Sequence, residues 1–210
     1  MDKRIRKVFE NSDSIRKIQE KLPKFFYIAE LESSRAGKIG MEVGSLRERI
    51  VVAFMIYKFG EANVETEIPI TEPEVDVKVY NIPISIKTIT GRSFSGVKLI
   101  WTVDSASANS FKNKYQPSCD MIFVQIIWNK EGGLYYIPKE TQLEIFNQIG
   151  RENYIKLPKE GTNPRGAEIT SSALKLMVDN QDTIKIPIQW EKEIINYNPF
   201  NRWVELWQQD

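Results

Sequence analysis

Histidine is absent from the 210 residues of the chain. Its absence excludes Ser-His-Asp and Cys-His nucleophilic catalysis, HNH-type nucleases and zinc sites with histidine ligands. The chain also lacks a glycine-rich loop of the P-loop type and a G-x-G-x-x-G motif after a strand, so we expect no nucleotide cofactor. Hydrolytic chemistry would have to rest on carboxylates, lysine and a hard metal ion such as Mg²⁺, which prefers oxygen ligands.

Cysteine and long apolar segments are also scarce. The single cysteine, Cys119, excludes an intramolecular disulfide and fits a reducing cytoplasm. The longest apolar run, residues 50–57, is too short to cross a membrane, and the charged N-terminus lacks the apolar stretch of a secretory signal. We therefore expect a cytoplasmic protein with no membrane partner.

The composition is that of a globular protein, with 41% hydrophobic and 27% charged residues. Without an internal repeat or a linker rich in Pro, Gly or Ser, the chain predicts a single domain over residues 1–210. Helical and strand patterns alternate and indicate an α/β fold with a central mixed β-sheet flanked by helices. Helices are predicted at residues 4–20 (with a break near Pro23), 45–59, 106–114, 139–148, 171–178 and 199–207. Strands are predicted at residues 63–68, 74–80, 84–88, 97–103, 121–128, 134–137 and 183–189.

Residues 73–87, PEVDVKVYNIPISIK, have the alternation of two antiparallel strands. Aliphatic side chains share one face, and polar side chains, including Asp76 and Lys78, share the other. With Asn81 and Ile82 as a two-residue loop, pairing sets Asp76 opposite Lys87 and Lys78 opposite Ser85. A carboxylate and an ammonium group side by side could bind a divalent metal and neutralise charge at a phosphate.

A second carboxylate, Glu48, lies near the start of the predicted helix 45–59. The residues Ser45-Leu46-Arg47-Glu48 have the form of a capping box, in which the glutamate reaches back to the Ser45 amide. The residues alone favour this cap over a catalytic role for Glu48. The alternative is that Glu48 faces a metal ion held by Asp76.

Asp76 and Lys87 resemble the core of the PD-(D/E)XK nucleases, the superfamily of most type II restriction endonucleases. There an Asp is followed on the next strand by a carboxylate, one residue and a Lys, but Ser85 stands at the position of that carboxylate. The set of Glu48, Asp76 and Lys87, with a serine at the position of the second carboxylate, and the loop GMEVG at residues 40–44 resemble the ThaI family of restriction endonucleases.

This resemblance has several implications, and it outweighs the capping interpretation. It implies a homodimeric, Mg²⁺-dependent type II restriction endonuclease with a restriction endonuclease-like fold. Such an enzyme cuts double-stranded DNA at a short self-complementary, CG-rich site and leaves blunt ends. Asp76, Glu48 and the backbone carbonyl of Ile86 would hold the metal, and Lys87 would position the attacking water. The displaced carboxylate leaves two alternatives open: a repair or recombination nuclease of the superfamily, and a catalytically inactive DNA-binding protein.

The net charge of +1 is weak evidence for DNA binding, which needs a basic surface rather than a basic average. Met41, within the glycine-rich loop, could act as a wedge between base pairs from the minor groove, or could pack against the helix start. The basic residues could equally form a solvated surface of mixed charge. The candidates for DNA contact are Arg35, Lys38, Arg92 and Lys112, with further basic residues at Arg47, Arg49, Lys98 and Lys114.

Overall fold

The computed structural model describes residues 2–40, 42–69, 72, 74–101, 104–158 and 166–209. The helices are α1 Lys3–Glu10, α2 Ser12–Glu32, α3 Val43–Phe59, α4 Ser105–Lys114, α5 Lys139–Ile149, α6 Arg151–Tyr154, α7 Ser171–Asp179 and α8 Asn201–Trp207. The strands are β1 Ser34–Arg35, β2 Lys38–Ile39, β3 Val64–Glu65, β4 Val77–Val79, β5 Ile82–Thr90, β6 Lys98–Ile100, β7 Asp120–Ile126, β8 Lys130–Ile137, β9 Ile155–Lys156, β10 Ala167–Ile169 and β11 Ile184–Trp190. Within these ranges no helix is both long and apolar enough to span a membrane.

A mixed six-stranded sheet in the order β11-β8-β7-β5-β4-β3 forms the centre of the fold. Its β5 and β7 are parallel, and the other neighbouring pairs are antiparallel. The strands β6, β10 and β9 form a second sheet, and β1 and β2 form a short hairpin before α3. The predicted central mixed sheet is confirmed, whereas the second sheet was not predicted.

Apolar side chains on the two faces of the central sheet belong to two separate cores. Along β7, Ile122 and Val124 pack with α1, α2 and α3, whereas Met121 and Phe123 pack on the opposite side with α5, α7 and the second sheet. The alternation follows from the period of two in a strand. The sheet therefore lies between helical layers, which confirms the expectation of flanking helices.

The predicted break in the first helix near Pro23 is wrong. The chain breaks at Asn11, whose side chain caps α2 by accepting a 3.0 Å hydrogen bond from the Ser14 amide. α2 then continues through Pro23, which is buried in it. A proline inside a helix costs about 3 kcal/mol, and here the burial of Leu22 and Phe26 beside it offsets that cost.

The hairpin between β4 and β5 turns one residue earlier than predicted. Its loop residues are Tyr80 and Asn81, with φ of 52° and 64°, and Val79 pairs with Ile82. Two-residue hairpin loops favour positive φ at both positions because that turn matches the twist of the strands. The register therefore shifts by two, so that Lys78 lies opposite Pro83 instead of Ser85. A shift of two keeps every side chain on its predicted face.

Candidate active site

Asp76 lies just before β4, and hydrogen bonds from the neighbouring strand hold its carboxylate. Oδ2 accepts bonds from the Ile86 amide at 2.6 Å, from Lys87 Nζ at 3.2 Å and from Ser85 Oγ at 3.3 Å. The Asp76 amide donates to the Ile84 carbonyl at 3.0 Å and so continues the ladder beyond β4. Among the described residues no bond is accepted by Oδ1. One oxygen of Asp76 is thus fixed by β5, and the other has capacity for a ligand.

The backbone carbonyl of Ile86 faces the same side of β5 as Asp76. In an extended strand the N–H and C=O of one residue point to the same edge, and the Ile86 amide bonds the Asp76 carboxylate at that edge. The strand β4 begins only at Val77, which pairs with Ile84, so β4 does not reach this carbonyl. A backbone oxygen therefore lies beside the carboxylate.

Glu48 is inside α3 and is not part of a cap. The helix begins at Val43, two residues before Ser45, and its N-cap residue is Glu42. The capping-box interpretation is therefore wrong: Val43 and Gly44 are already helical, which the low helical propensity of glycine conceals. Desolvation, together with the negative charge of Asp76, raises the pKa of Glu48 to about 7 against the opposing effect of Lys87.

Glu48, Asp76 and Lys87 line one cleft of about 490 Å³ between α3, β5 and β6. The structure thus brings together the three residues that the sequence singled out. Thr88 and Trp101 line the same cleft but were not among the predicted site residues. Trp101 follows β6 directly and is 69% exposed. The only sequence signal for it was its place three residues after Lys98.

The donor set of this cleft fits Mg²⁺. Two carboxylates and the Ile86 carbonyl offer only oxygen ligands, which hard cations prefer. Desolvation is the main cause of the raised pKa of Glu48, and the repulsion from Asp76 that adds to it is what a bound cation relieves. In the described ranges no three Asp, Glu, Cys or His side chains form a metal-binding group. The backbone oxygen and retained waters would therefore complete the coordination, as Mg²⁺ commonly allows.

Comparisons with known proteins identify the family to which the chain belongs. A model of the family "Restriction endonuclease ThaI" matches residues 8–209. The chain belongs to the ThaI restriction endonuclease family. A solved structure of a restriction endonuclease in complex with substrate DNA is 56% identical, with a TM-score of 0.91 over 97% of this chain and 98% of that one. No curated protein sequence matched.

Membership of the ThaI family makes this chain a type II site-specific nuclease with a restriction endonuclease fold. It favours restriction over repair or recombination among the enzymatic alternatives.

Three of the predicted DNA contacts lie on exposed positions of this ThaI-family enzyme. Arg35 and Lys38 face each other across the β1–β2 hairpin, which turns at Ala36 and Gly37 with positive φ just before α3. Arg92 is exposed in the turn after β5. Lys112 differs, since its side chain is 12% exposed and forms an ion pair with Glu152. Met41 lies outside the described residues.

Arg47, one of the further basic residues, is part of the interior of the ThaI-family fold. Its side chain is 5% exposed and donates to Glu30 at 2.6 Å and to Thr90 Oγ1 at 3.0 Å. Glu30 also accepts bonds from Trp128 Nε1 and Lys192 Nζ, each at 2.8 Å. The expectation that Arg47 adds to a basic surface is therefore wrong, because its charge is buried and paired.

Glu74 is a second buried carboxylate that the sequence did not assign. It is 7% exposed and accepts hydrogen bonds from Tyr115 OH at 2.7 Å and from Ser118 Oγ at 2.5 Å. These bonds fix the backbone two residues before Asp76. Both oxygens of Glu74 already have donors, so it supports the position of Asp76 and is a poor replacement for the missing strand carboxylate.

Proposed function

We propose that this ThaI-family enzyme is a homodimer that uses Mg²⁺ to hydrolyse phosphodiester bonds in double-stranded DNA. The proposed target is a short self-complementary, CG-rich site that is cut to blunt ends. The observation that carries the proposal is the convergence of Glu48, Asp76 and Lys87 in one cleft. The proposed catalytic core is that of the PD-(D/E)XK nucleases, with the second carboxylate moved from β5 to α3.

The proposed metal ligands are Asp76, Glu48 and the Ile86 carbonyl. When bound, Mg²⁺ neutralises charge on the scissile phosphate and lowers the pKa of a coordinated water. Asp76 would be held ready by the three bonds to Oδ2, which fix its orientation on the hairpin. Glu48 would approach from the opposite wall of the cleft and hold the metal or its water.

Lys87 would orient the attacking water and stabilise the charge that develops on the phosphate in the transition state. Its ammonium already lies beside Asp76, within the same cleft. A cation placed where negative charge increases during the reaction stabilises the transition state more than the ground state. This differential effect is what would make Lys87 catalytic.

Double-stranded DNA is the proposed substrate because the solved relative of similar structure is a restriction endonuclease bound to its substrate DNA. Exposed Arg35, Lys38 and Arg92 would contact phosphates, together with Lys112 if its ion pair with Glu152 opens. Met41 would insert between base pairs from the minor groove, as its place in the glycine-rich loop before α3 suggests.

The homodimer follows from the symmetry of the proposed site. One cleft of this kind cuts one strand, and the two strands of a self-complementary site are related by a two-fold axis. Two copies related by the same axis would place one cleft on each strand.

Plasmid cleavage tests the proposal directly. Purified protein with supercoiled DNA and Mg²⁺ should give a discrete set of fragments, and EDTA should abolish cutting. Sequencing of the fragment ends would give the recognition site and show whether the ends are blunt. A continuous smear, or cutting that persists in EDTA, would contradict the proposal, and tight DNA binding without cutting would favour the inactive DNA-binding protein.

A further inference from the structure

The C-terminal segment after β11, residues 191–209, leaves its apolar side chains in solvent. We call this segment the arm. Its helix α8 has no buried residue: Trp207 is 89% exposed, and Phe200, just before the helix, is 69% exposed. The other large exposed apolar residues of the arm are Ile194, Trp203, Val204 and Leu206. Apolar surface concentrated in this way marks a site of association.

The arm is nevertheless attached at defined points. Lys192 Nζ donates to buried Glu30 at 2.8 Å and lies over the rings of Tyr27 and Trp128. Ten residues later, Arg202 lies 4.0 Å from Glu32, at the C-terminal end of α2. The contact between Arg202 and Glu32 thus places α8 beside α2, while the apolar side chains of α8 belong to neither of the two cores that the described residues form.

An apolar groove runs between α2 and α3. It consists of two adjoining hollows of about 330 and 280 Å³ that share Phe25, Ile50 and Ala53. We call this surface the α2–α3 groove, and its further apolar lining includes Ile28, Leu46 and Phe54. Glu32, the residue that Arg202 approaches, lines one of the hollows. The groove and the exposed helix α8 are therefore neighbouring parts of one surface.

We propose that α8 of one copy occupies the α2–α3 groove of a second copy, and that the reciprocal contact forms the dimer. This inference rests on the proposed homodimer and assigns its interface. A patch that carries both a projecting helix and a groove is self-complementary, which is what a two-fold interface requires. The charges of the groove and of α8 are complementary. In the described ranges Lys21 and Arg49 on the groove and Glu205 on α8 are exposed and form no ion pair within the chain.

The available area suits a stable dimer. A fully buried aromatic side chain removes about 150–250 Å² from water, and α8 with its preceding residue supplies three mostly exposed ones, Phe200, Trp203 and Trp207. With the groove surface they would cover, two reciprocal contacts bury roughly 1,500–2,000 Å². This is the size of a standard specific interface.

Sedimentation equilibrium of a double variant tests the inference. Trp203→Ser with Trp207→Ser should weaken dimerisation at least about 30-fold, and each subunit should keep its circular dichroism spectrum because both side chains are exposed. Leu176→Ser, which alters an exposed leucine on α7, is the matched control and should dimerise like the wild type. Unchanged dimerisation of the double variant would overturn the arm interface and leave the proposed homodimer standing. A wild type that is monomeric with and without cleavable DNA would overturn the homodimer itself.

Crosslinking distinguishes an arm that occupies the α2–α3 groove of a second copy from an arm that folds back onto the groove of its own chain. A tagged chain with Trp203→Cys, mixed with an untagged chain with Ala53→Cys, should give a tagged–untagged product with a bis-maleimide. The native Cys119 is buried, and Leu176→Cys in place of Trp203→Cys should give no product. The proposal would be overturned if the crosslink formed only within a single chain that carries both cysteines. So would a double tryptophan variant that loses DNA affinity but dimerises normally, since α8 would then contact DNA.

Discussion

Lys87 Nζ lies 3.2 Å from Asp76 Oδ2, although the residue beside Asp76 in the hairpin is Ser85. The lysine reaches the carboxylate diagonally, as long side chains can on a sheet. The ion pair therefore does not depend on the predicted register, which is wrong by two residues. It also leaves the ammonium at the side of Asp76, where it can face a phosphate while the carboxylate holds a metal.

Asp76→Asn tests the metal ligand on the hairpin. The amide keeps an oxygen that can accept the bond from the Ile86 amide but loses the charge. We expect Mg²⁺ affinity to fall more than about 100-fold, with cleavage lost in parallel, because a direct ligand is removed. Titration calorimetry and plasmid cleavage measure the two effects. Glu65→Gln, an exposed carboxylate on β3, is the control, and normal cutting by Asp76→Asn would remove Asp76 from the site.

Lys87→Met separates catalysis from metal binding. Methionine keeps the length of the stem, and loss of the ammonium should slow single-turnover cleavage about 10²–10³-fold. Mg²⁺ affinity should stay equal or increase, because a positive charge next to Asp76 is gone. Lys78→Met, on the same hairpin but paired with Glu72, should cut normally. Recovery of full activity by excess Mg²⁺ would show instead that Lys87 serves only to hold the metal site.

Glu48→Gln should change the pH dependence of stability. The Glu48 pKa rises from 4.5 to about 7 in the folded, metal-free protein. The folded state thus binds the proton more tightly than the unfolded state, so the stabilisation is complete below pH 4.5 and is lost as the pH rises through 7.

The variant should therefore match the wild type near pH 4.5. At pH 8 the free energy of unfolding of the variant should exceed that of the wild type by about 1–2 kcal/mol, a figure that allows for the partial exposure of the side chain. Urea titrations in EDTA measure this difference. Saturating Mg²⁺ should reverse it, since only the glutamate offers a charged ligand, and a difference that does not vary with pH would contradict the placement of Glu48 beside Asp76.

Arg47 and Arg35 should behave in opposite ways. Arg47→Met removes one of the buried donors of Glu30 while Lys192 remains paired with it, so we expect the free energy of unfolding to fall by about 1–3 kcal/mol. Arg35→Ala alters an exposed side chain, so it should leave unfolding unchanged and lower DNA affinity with a smaller dependence on salt. Chemical denaturation and DNA binding at two salt concentrations test both, and an Arg47 variant of normal stability would contradict the buried network.

The sequence predicted the hairpin and its faces because strand alternation is a local property. Val77 and Val79 are fully buried, and Asp76 and Lys87 line the cleft, as their spacing indicated. The register failed because it depends on which two residues adopt positive φ, and Tyr80 is an unusual choice for that conformation. The resemblance, not the periodicity, identified Glu48, whose place in the cleft depends on the packing of α3 against β5.

Tertiary contacts explain the other errors. Arg47 could not be distinguished from the exposed Arg49 two positions later, because its partners Glu30 and Thr90 come from distant parts of the chain. The strands β9 and β10 are only two and three residues long, too short for a period of two to appear. Local propensity predicts a break near Pro23 because it takes no account of the core contacts around that residue.

The position of Glu48 on α3 makes the proposed metal site depend on the packing of a helix against the sheet. Asp76 and the Ile86 carbonyl meet as soon as the hairpin forms, but Glu48 joins them only when α3 has packed on the sheet. A partly folded chain in which α3 has not packed would have the two hairpin ligands without Glu48. Free Mg²⁺ at about 100 times its dissociation constant would add about 2.7 kcal/mol to the folded state alone. Because α3 and not the hairpin carries Glu48, the proposed site would delay the nuclease activity of a newly made chain until its tertiary structure is complete.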